Sequence, residues 1–249
     1  MQIKVYICTL HNIKKNQAMS CILHIETSTE TCSVALSHDG ASVFSKENFD
    51  GPSHASLLGV YVDEAMSFAD SHALPVDAVA VSCGPGSYTG LRIGVSMAKG
   101  LAFGLNVPLV GLPTLEVMCV PVLLGKDLED DAMLCPMIDA RRAEVYAAVY
   151  DRALHPLRPA GADIVEPGAN PYLEFLERGP VYFFGNGAGK CREALTHPNA
   201  HFVDDIRPLA RWMFPLAEKA IAREEFRDVA YFEPFYLKEF VASKPKKLI

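Results

Sequence analysis

The segment Val76–Cys83 reads VDAVAVSC, an almost unbroken apolar and β-branched run closed at once by Gly84-Pro85-Gly86-Ser87. A strand with one wet face alternates polar and apolar residues. A strand without that alternation is covered on both faces, as in a parallel sheet flanked by helices. The chain then enters a helix that runs through about Leu105, a further strand spans Val107–Val110, and Thr114 stands ready to cap a helix through Val120. Strand–helix–strand alternation of this kind makes the first half α/β.

Upstream, Ile22–Leu36 reads as two strands joined by the polar turn Thr27-Ser28-Thr29-Glu30-Thr31, with Ile22, His24, Val34 and Leu36 in strand positions. His38-Asp39-Gly40 is a second turn, and Ser42–Ser45 a third strand. Gly51-Pro52-Ser53 breaks the chain and supplies an N-cap for a helix from His54 to about Ala69. Leu57, Leu58, Tyr61, Ala65 and Phe68 make one face of that helix, yet Val60, Val62 and Met66 carry apolar character well round it. A helix with a solvated side is polar there. This one is therefore either buried between layers or packed between its own sheet and a partner.

A second half opens near Ala132. Met133–Ile138 and Ala143–Tyr150 are strands joined through Asp139-Ala140-Arg141-Arg142. Proline-rich loops follow, then a helix near Pro171–Glu177, a strand at Val181–Phe184, the run Gly185-Asn186-Gly187-Ala188-Gly189, and a helix from Lys190. Arg207–Arg223 reads as a last helix, interrupted or bent at Pro215. The domain expectation is an extension over residues 1–18, a first α/β lobe over 19–120 and a smaller second lobe over 121–249. The stretch Val5–Leu10 is too short for a secretory signal, so Met19 is the expected natural start. No run of residues reaches the length of a membrane span.

The formal net charge is −7. A chain that grips tRNA alone carries a basic surplus, because neutralised phosphates supply most of the affinity; any nucleic-acid role here is indirect. The seven cysteines are scattered and never spaced as C-x-x-C, which argues against a disulfide framework and a structural zinc site, and for a reducing cytoplasm.

Gly84–Gly90 (GPGSYTG) is the strongest local signal. Glycines admit a ligand close to backbone amides, and Ser87 opens a helix whose N-terminus favours anions, so Gly86 and Ser87 form a candidate phosphate cradle. The same residues also make an ordinary strand-to-helix turn. The loop is neither G-x-S-x-G nor a Walker A sequence. Glu26 and Thr27, at the end of the first strand, are the matching magnesium and phosphate candidates. Gly185 and Gly187 offer a second loop, spaced G-x-G-x-G rather than as a dinucleotide site. His197 and His201 have metal-ligand spacing, but Pro198 spoils the helix that this would need. Within the helix after Ser87, Gly90 and Gly94 lie four apart, as do Gly100 and Gly104. Each costs about 1 kcal/mol of helix propensity, which is offset only where another backbone comes close. One pair suits the chain's own sheet; two leave room for a subunit contact.

ILHIETSTETCSVAL (Ile22–Leu36), VSCGPGSYTGLRIGVSMAKGLAFGLNVPLVGLPTLEVM (Val81–Met118), IDARRAEVYAAVY (Ile138–Tyr150) and EPFYLKE (Glu233–Glu239) together resemble the TsaB family, in order and from Met19 to the end. That resemblance implies an α/β actin-like, sugar-kinase-like ATPase fold of two lobes, each opening with β-hairpins, the second degenerate. It implies a non-catalytic subunit of the machinery that makes threonylcarbamoyladenosine beside the tRNA anticodon, paired with TsaD and joined by TsaE, or with a second copy of itself when alone. TsaD's paired metal-binding histidines have no counterpart here. No catalytic residue and no metal ligand is therefore expected, and tRNA is reached only through the complex. No cofactor is required, and ATP or ADP with magnesium is the candidate structural or interface ligand. The family has Asp where Glu26 stands, which weighs against ATP hydrolysis. On the residues, the expected contact surface comprises Leu57, Leu58 and Tyr61 on one helix and Gly90, Arg92, Gly94 and Met97 on the next. The alternative is a small-molecule kinase or ATPase of the same fold, using Glu26 and the Gly86-Ser87 loop.

Overall fold

β4 (Val76–Ser82) lies where its lack of alternation requires, inside a five-stranded sheet, with parallel neighbours on both sides. That sheet has the order β3-β2-β1-β4-β5, with β1 (Cys21–Glu26), β2 (Cys32–His38), β3 (Ala41–Asn48) and β5 (Leu109–Leu112). The computed structural model describes residues 20–51 and 54–238. The extension before Met19 and the expected cap at Ser53 lie outside the described residues.

A second sheet comprises β6 (Met133–Asp139), β7 (Glu144–Tyr150), β8 (Pro156–Ile164), β9 (Val181–Phe184) and β10 (Ala200–Val203), in the order β10-β9-β6-β7-β8. Reversed, this is the order of the first sheet. In each, three consecutive antiparallel strands are followed by two that add in parallel on the far side. The chain is thus two α/β lobes of one topology, the actin-like and sugar-kinase-like arrangement.

Layering follows from the two-residue period of the strands. Cys21, Leu23 and Ile25 face α1 (His54–Ser71) and α2 (Tyr88–Leu105), where they pack with Leu58, Val62, Val95 and Ala98. Ile22, Ala78, Ala80 and Val110 face the other way, toward α3 (Thr114–Gly125), which also meets Leu134, Ile138 and Tyr150 of the second sheet. α3 is the central layer between the two sheets, and apart from Thr114 and Glu116 it is apolar on every side, as a helix covered by sheets on both faces needs. The outer face of the second sheet is closed by Tyr172, Phe175 and Leu176 around the single-turn α4 (Leu173–Leu176).

Four expectations are corrected. The proline-rich stretch after Tyr150 is the edge strand β8, and an edge strand tolerates Pro156 and Pro159 because it has no ladder partner on its outer side. The helix expected from Lys190 is only a 3-10 turn at Gly189–Cys191, in a glycine-rich stretch of low helix propensity. Pro215 does not bend a long helix but opens α5 (Phe214–Ala222), where its missing N–H costs nothing. Thr114 is not a cap, since its hydroxyl accepts the Gly84 N–H at 3.1 Å and ties β4 to α3, which runs on through Pro121 to Gly125. In addition, the segment from Ala210 to Ala222, placed by sequence with the second lobe, packs on the first sheet. There the Ala210 N–H donates to Ser33 Oγ at 2.9 Å.

Candidate functional site

The end of β1, the turn after it and the N-terminus of α2 form one buried knot. Glu26, Thr27 and Ser28 are fully buried. Glu26 Oε1 accepts the Ser28 N–H at 2.5 Å, and burial raises its carboxyl above the ordinary range despite that bond. The Ser28 carbonyl accepts the Ser87 N–H at 2.6 Å, while Thr27 Oγ1 donates to the Gly90 carbonyl at 2.8 Å. A Cβ at Gly86 would strike the Ser28 carbonyl, one at Gly90 the Thr27 carbonyl, and one at Gly94 the Thr27 hydroxyl. The four residues expected at a phosphate site, Glu26, Thr27, Gly86 and Ser87, are therefore brought together, but on one another. The glycines admit the β1–β2 turn itself, and Ser87 caps α2 through its bond from the Gly90 N–H. His54 ties α1 to the same turn, donating from Nε2 to the Thr29 carbonyl at 2.8 Å.

Gly185 and Gly187 occupy the equivalent place in the second lobe. Gly84 and Gly185 both follow the inner parallel strand of their lobe with φ near +114° and +102°, a region that favours glycine. Two residues on, Gly86 lies against Ser28 after β1, and Gly187 against Ile138 and Asp139 at the end of β6. The Gly187 N–H donates to the Met137 carbonyl at 3.0 Å. Lys190 bonds Asp139 and the carbonyls of Arg142 and Glu144, which makes it a clasp on the β6–β7 turn. Across the lobes, Asn186 donates to Glu30 at 3.2 Å and accepts the Asp139 N–H at 2.9 Å. The histidine pair is not on a helix: His201 sits in β10 stacked on Tyr182, and His197 Nδ1 accepts the Asn199 N–H.

The expected contact residues divide. Leu58, Gly90 and Gly94 are buried inside the lobe, so they are core positions rather than contacts. Leu57, Tyr61 and Met97 are half-buried, and Arg92 is exposed, bonded to Tyr88 Oη at 2.6 Å. The exposed faces of α1 and α2 carry Val60, Gly100 and Gly104, which the sequence raised without naming them as contacts, and Gly59, Phe103 and Leu105, which it did not raise. Val60 is 50% exposed, Phe103 80% and Leu105 38%, and a Cβ at Gly59, Gly100 or Gly104 would meet nothing within 4 Å.

Beyond α5 the chain forms a strap across the first lobe. The Arg227 N–H donates to the Leu109 carbonyl, the Phe232 ring lies against Gly111, and Lys99 donates to the carbonyls of Ala230 and Phe232. The Phe235 N–H then bonds the Cys83 carbonyl at 2.7 Å, its own carbonyl presses on Gly84, and Lys238 pairs with Glu144 of the second lobe. The strap lies at the carboxyl end of β4, the part of an open α/β sheet that otherwise receives ligands. Only its EPFYLKE match pointed to it in the sequence.

The family model for TsaD, tRNA N6-adenosine threonylcarbamoyltransferase, matches residues 51–170. The tRNA threonylcarbamoyladenosine biosynthesis protein TsaB of Escherichia coli is 37% identical over 230 residues, covering 90% of this chain and 96% of that protein. Among solved structures, YeaZ from Pseudomonas aeruginosa aligns with a TM-score of 0.72 and 29% identity, over 88% of this chain and 100% of the other. A Pseudomonas aeruginosa protein described as similar to the peptidase YeaZ gives 0.75 and 30%, with the same coverage.

Proposed function

Because the chain belongs to the TsaB family, we propose that it is a non-catalytic subunit of the threonylcarbamoyladenosine machinery, holding a TsaD-type transferase on the outer face of α1 and α2. The observation that carries this reading is that face. Val60 and Phe103 are large apolar side chains left in water, beside glycines 59, 100 and 104, where among the described residues an added Cβ would meet nothing within 4 Å. Small residues let a second backbone come close, and adjacent large ones supply the anchors of an interface. Without TsaD the same face pairs two copies. TsaE joins the assembly, and the net charge of −7 fits a subunit that reaches tRNA through its partners in the cytoplasm.

The filled knot supports a scaffold over a kinase or ATPase. A magnesium-bound phosphate needs an exposed carboxylate and free backbone amides. Here Glu26 is fully buried, and the Ser87 N–H is used by Ser28. Any ATP or ADP in the assembly would then sit at the interface between subunits rather than in this knot.

The test is light scattering after size-exclusion chromatography, on the chain alone and mixed with its cognate TsaD. A homodimer that exchanges into a one-to-one heterodimer is expected, with pairing lost in Val60→Glu and Phe103→Glu while their melting temperatures stay near wild type. Pairing that survives both charges would refute the surface, and magnesium-dependent ATP turnover by the isolated chain would refute the scaffold.

A further inference from the structure

A cavity of about 360 Å³ opens between the lobes, away from the outer face of α1 and α2. Pro113 and Glu116 line it from the start of α3, Tyr150 and Pro159 from β7 and β8, and Arg227 and Phe235 from the strap. Its walls are mainly prolines and rings, with two charges of opposite sign. Glu116 is half-buried and Arg227 exposed. Among the described residues neither side chain is in a hydrogen bond or ion pair, although Lys219 and Glu225 act on the Glu116 charge through space, and Arg227 lies over the Phe232 ring at 5.7 Å. Clefts between lobes with apolar walls and a few converging polar groups are where proteins hold small ligands.

Charge and size narrow the occupant. A purely anionic ligand would meet Glu116, a purely cationic one Arg227, and a neutral apolar one would offer a partner to neither. A zwitterion satisfies the two at once. The volume lies at the small end of the range of about 300–1,000 Å³ for ligand pockets, which suits a free amino acid better than a nucleotide.

We propose that this cavity binds a free α-amino acid with an apolar ring, its ammonium group on Glu116, its carboxylate on Arg227 and its ring against Pro113, Pro159 and Tyr150. The site is separate from the helical face, so failure of the pairing experiment leaves it standing and its own failure leaves pairing intact.

Isothermal titration of the full chain with L-phenylalanine, and with L-proline as the smaller ring, tests this. Saturable one-to-one binding is expected for at least one. A lost charge-assisted bond weakens binding by roughly 10-fold or more, so N-acetyl-L-phenylalanine should mimic the effect of Glu116→Gln, and L-phenylalanine amide that of Arg227→Gln. The modified ligands probe each charge without touching the protein, so the result stands even if a variant folds poorly. The proposal is overturned by no saturable heat from either amino acid up to about 10 mM, well above the dissociation constants of specific small-ligand sites. It is equally overturned if the acetylated and amidated forms bind as tightly as the parent.

Discussion

The two glycine pairs of α2 have the same spacing and opposite surroundings, so alanine substitution should move stability in opposite directions. At Gly90 a Cβ would fall closer to the Thr27 carbonyl oxygen than the 3.0 Å that real Cβ atoms keep, and that oxygen is backbone of a fully buried residue. Neither element can yield alone, because Ser87, Thr27 and His54 bind α2 and α1 to the same turn. Overpacking of this kind costs about 1–3 kcal/mol, and the gain in helix propensity is small so near the start of a helix. At Gly100 nothing lies within 4 Å, so alanine adds about 1 kcal/mol of helix propensity with no clash. Gly100→Ala should therefore exceed Gly90→Ala by about 2–4 kcal/mol. For a chain of this size that is a gap in melting temperature of roughly 4–16 °C. Urea and thermal melts of both variants, followed by far-ultraviolet circular dichroism at protein concentrations low enough to keep the chain monomeric, read it directly, because a paired copy would bring its own backbone against Gly100. If Gly90→Ala proves as stable as wild type, close approach is not why glycine stands there, and the packed knot is wrongly read.

Other expectations follow from buried polar groups. His24 is fully buried with its Nε2 on Ser37 Oγ, and burial lowers its pKa from 6.5 to about 3. The unfolded chain then binds the extra proton below pH 6.5, so His24 removes stability as pH falls toward 3, by about 2 kcal/mol at pH 5. Glu26, whose raised pKa gives the opposite slope above 4.5, is common to both proteins when wild type is compared with His24→Gln. The acid loss should be shallower in that variant, and equal slopes in urea titrations at pH 7.5 and 5 would contradict the assignment. Asp163 accepts two bonds from Arg158 and one from Tyr172 Oη. Asp163→Ala should cost about 3 kcal/mol, the low end for a broken buried pair because Arg158 is partly in water, and a thermal melt showing under 1 kcal/mol would exclude a structural role. Lys190→Ala should loosen the β6–β7 turn, seen as faster amide exchange at Ala140 and Glu144, whose N–H groups bond within that turn, with little change at Val34; unchanged exchange would mean that the turn holds itself.

How much of this was legible in the sequence depended on whether the signal was local. β4 and α2 were readable because burial on both faces and a capped, periodic helix leave their pattern in consecutive residues. β8 was not, since prolines that forbid a central strand are permitted on an edge, and which strand is an edge is a tertiary fact. The return of α5 to the first lobe left no local trace either, because its apolar stripe would fit any sheet. Glu26, Thr27, Gly86 and Ser87 were correctly gathered into one place, but their residue types suit a phosphate cradle and a self-filled turn equally well. The difference lies in what stands opposite the glycines. For the same reason Leu58 and Gly94 could not be separated from Val60 and Gly100 by spacing alone.

The duplicated topology also explains why a docking face should exist on one lobe only. Each lobe carries a positive-φ glycine after its inner parallel strand and a second glycine two residues later that packs on the opening turn. After that point the lobes diverge. The first continues into the 18 residues of α2 and is preceded by the 18 residues of α1, whereas the second has the 3-10 turn Gly189–Cys191 and the four residues of α4. An 18-residue helix is about 27 Å long, enough for several turns to interlock with a partner's helices at the usual spacing of about 8–10 Å. A single turn offers no such length, and the second lobe spends its large rings inward, with Tyr172 and Phe183 fully buried. Among the described residues, two long exposed helices side by side occur on α1 and α2 alone. On the proposed reading, a second copy and a TsaD-type partner compete for that one face, so self-pairing and hetero-pairing exclude each other without any change of shape.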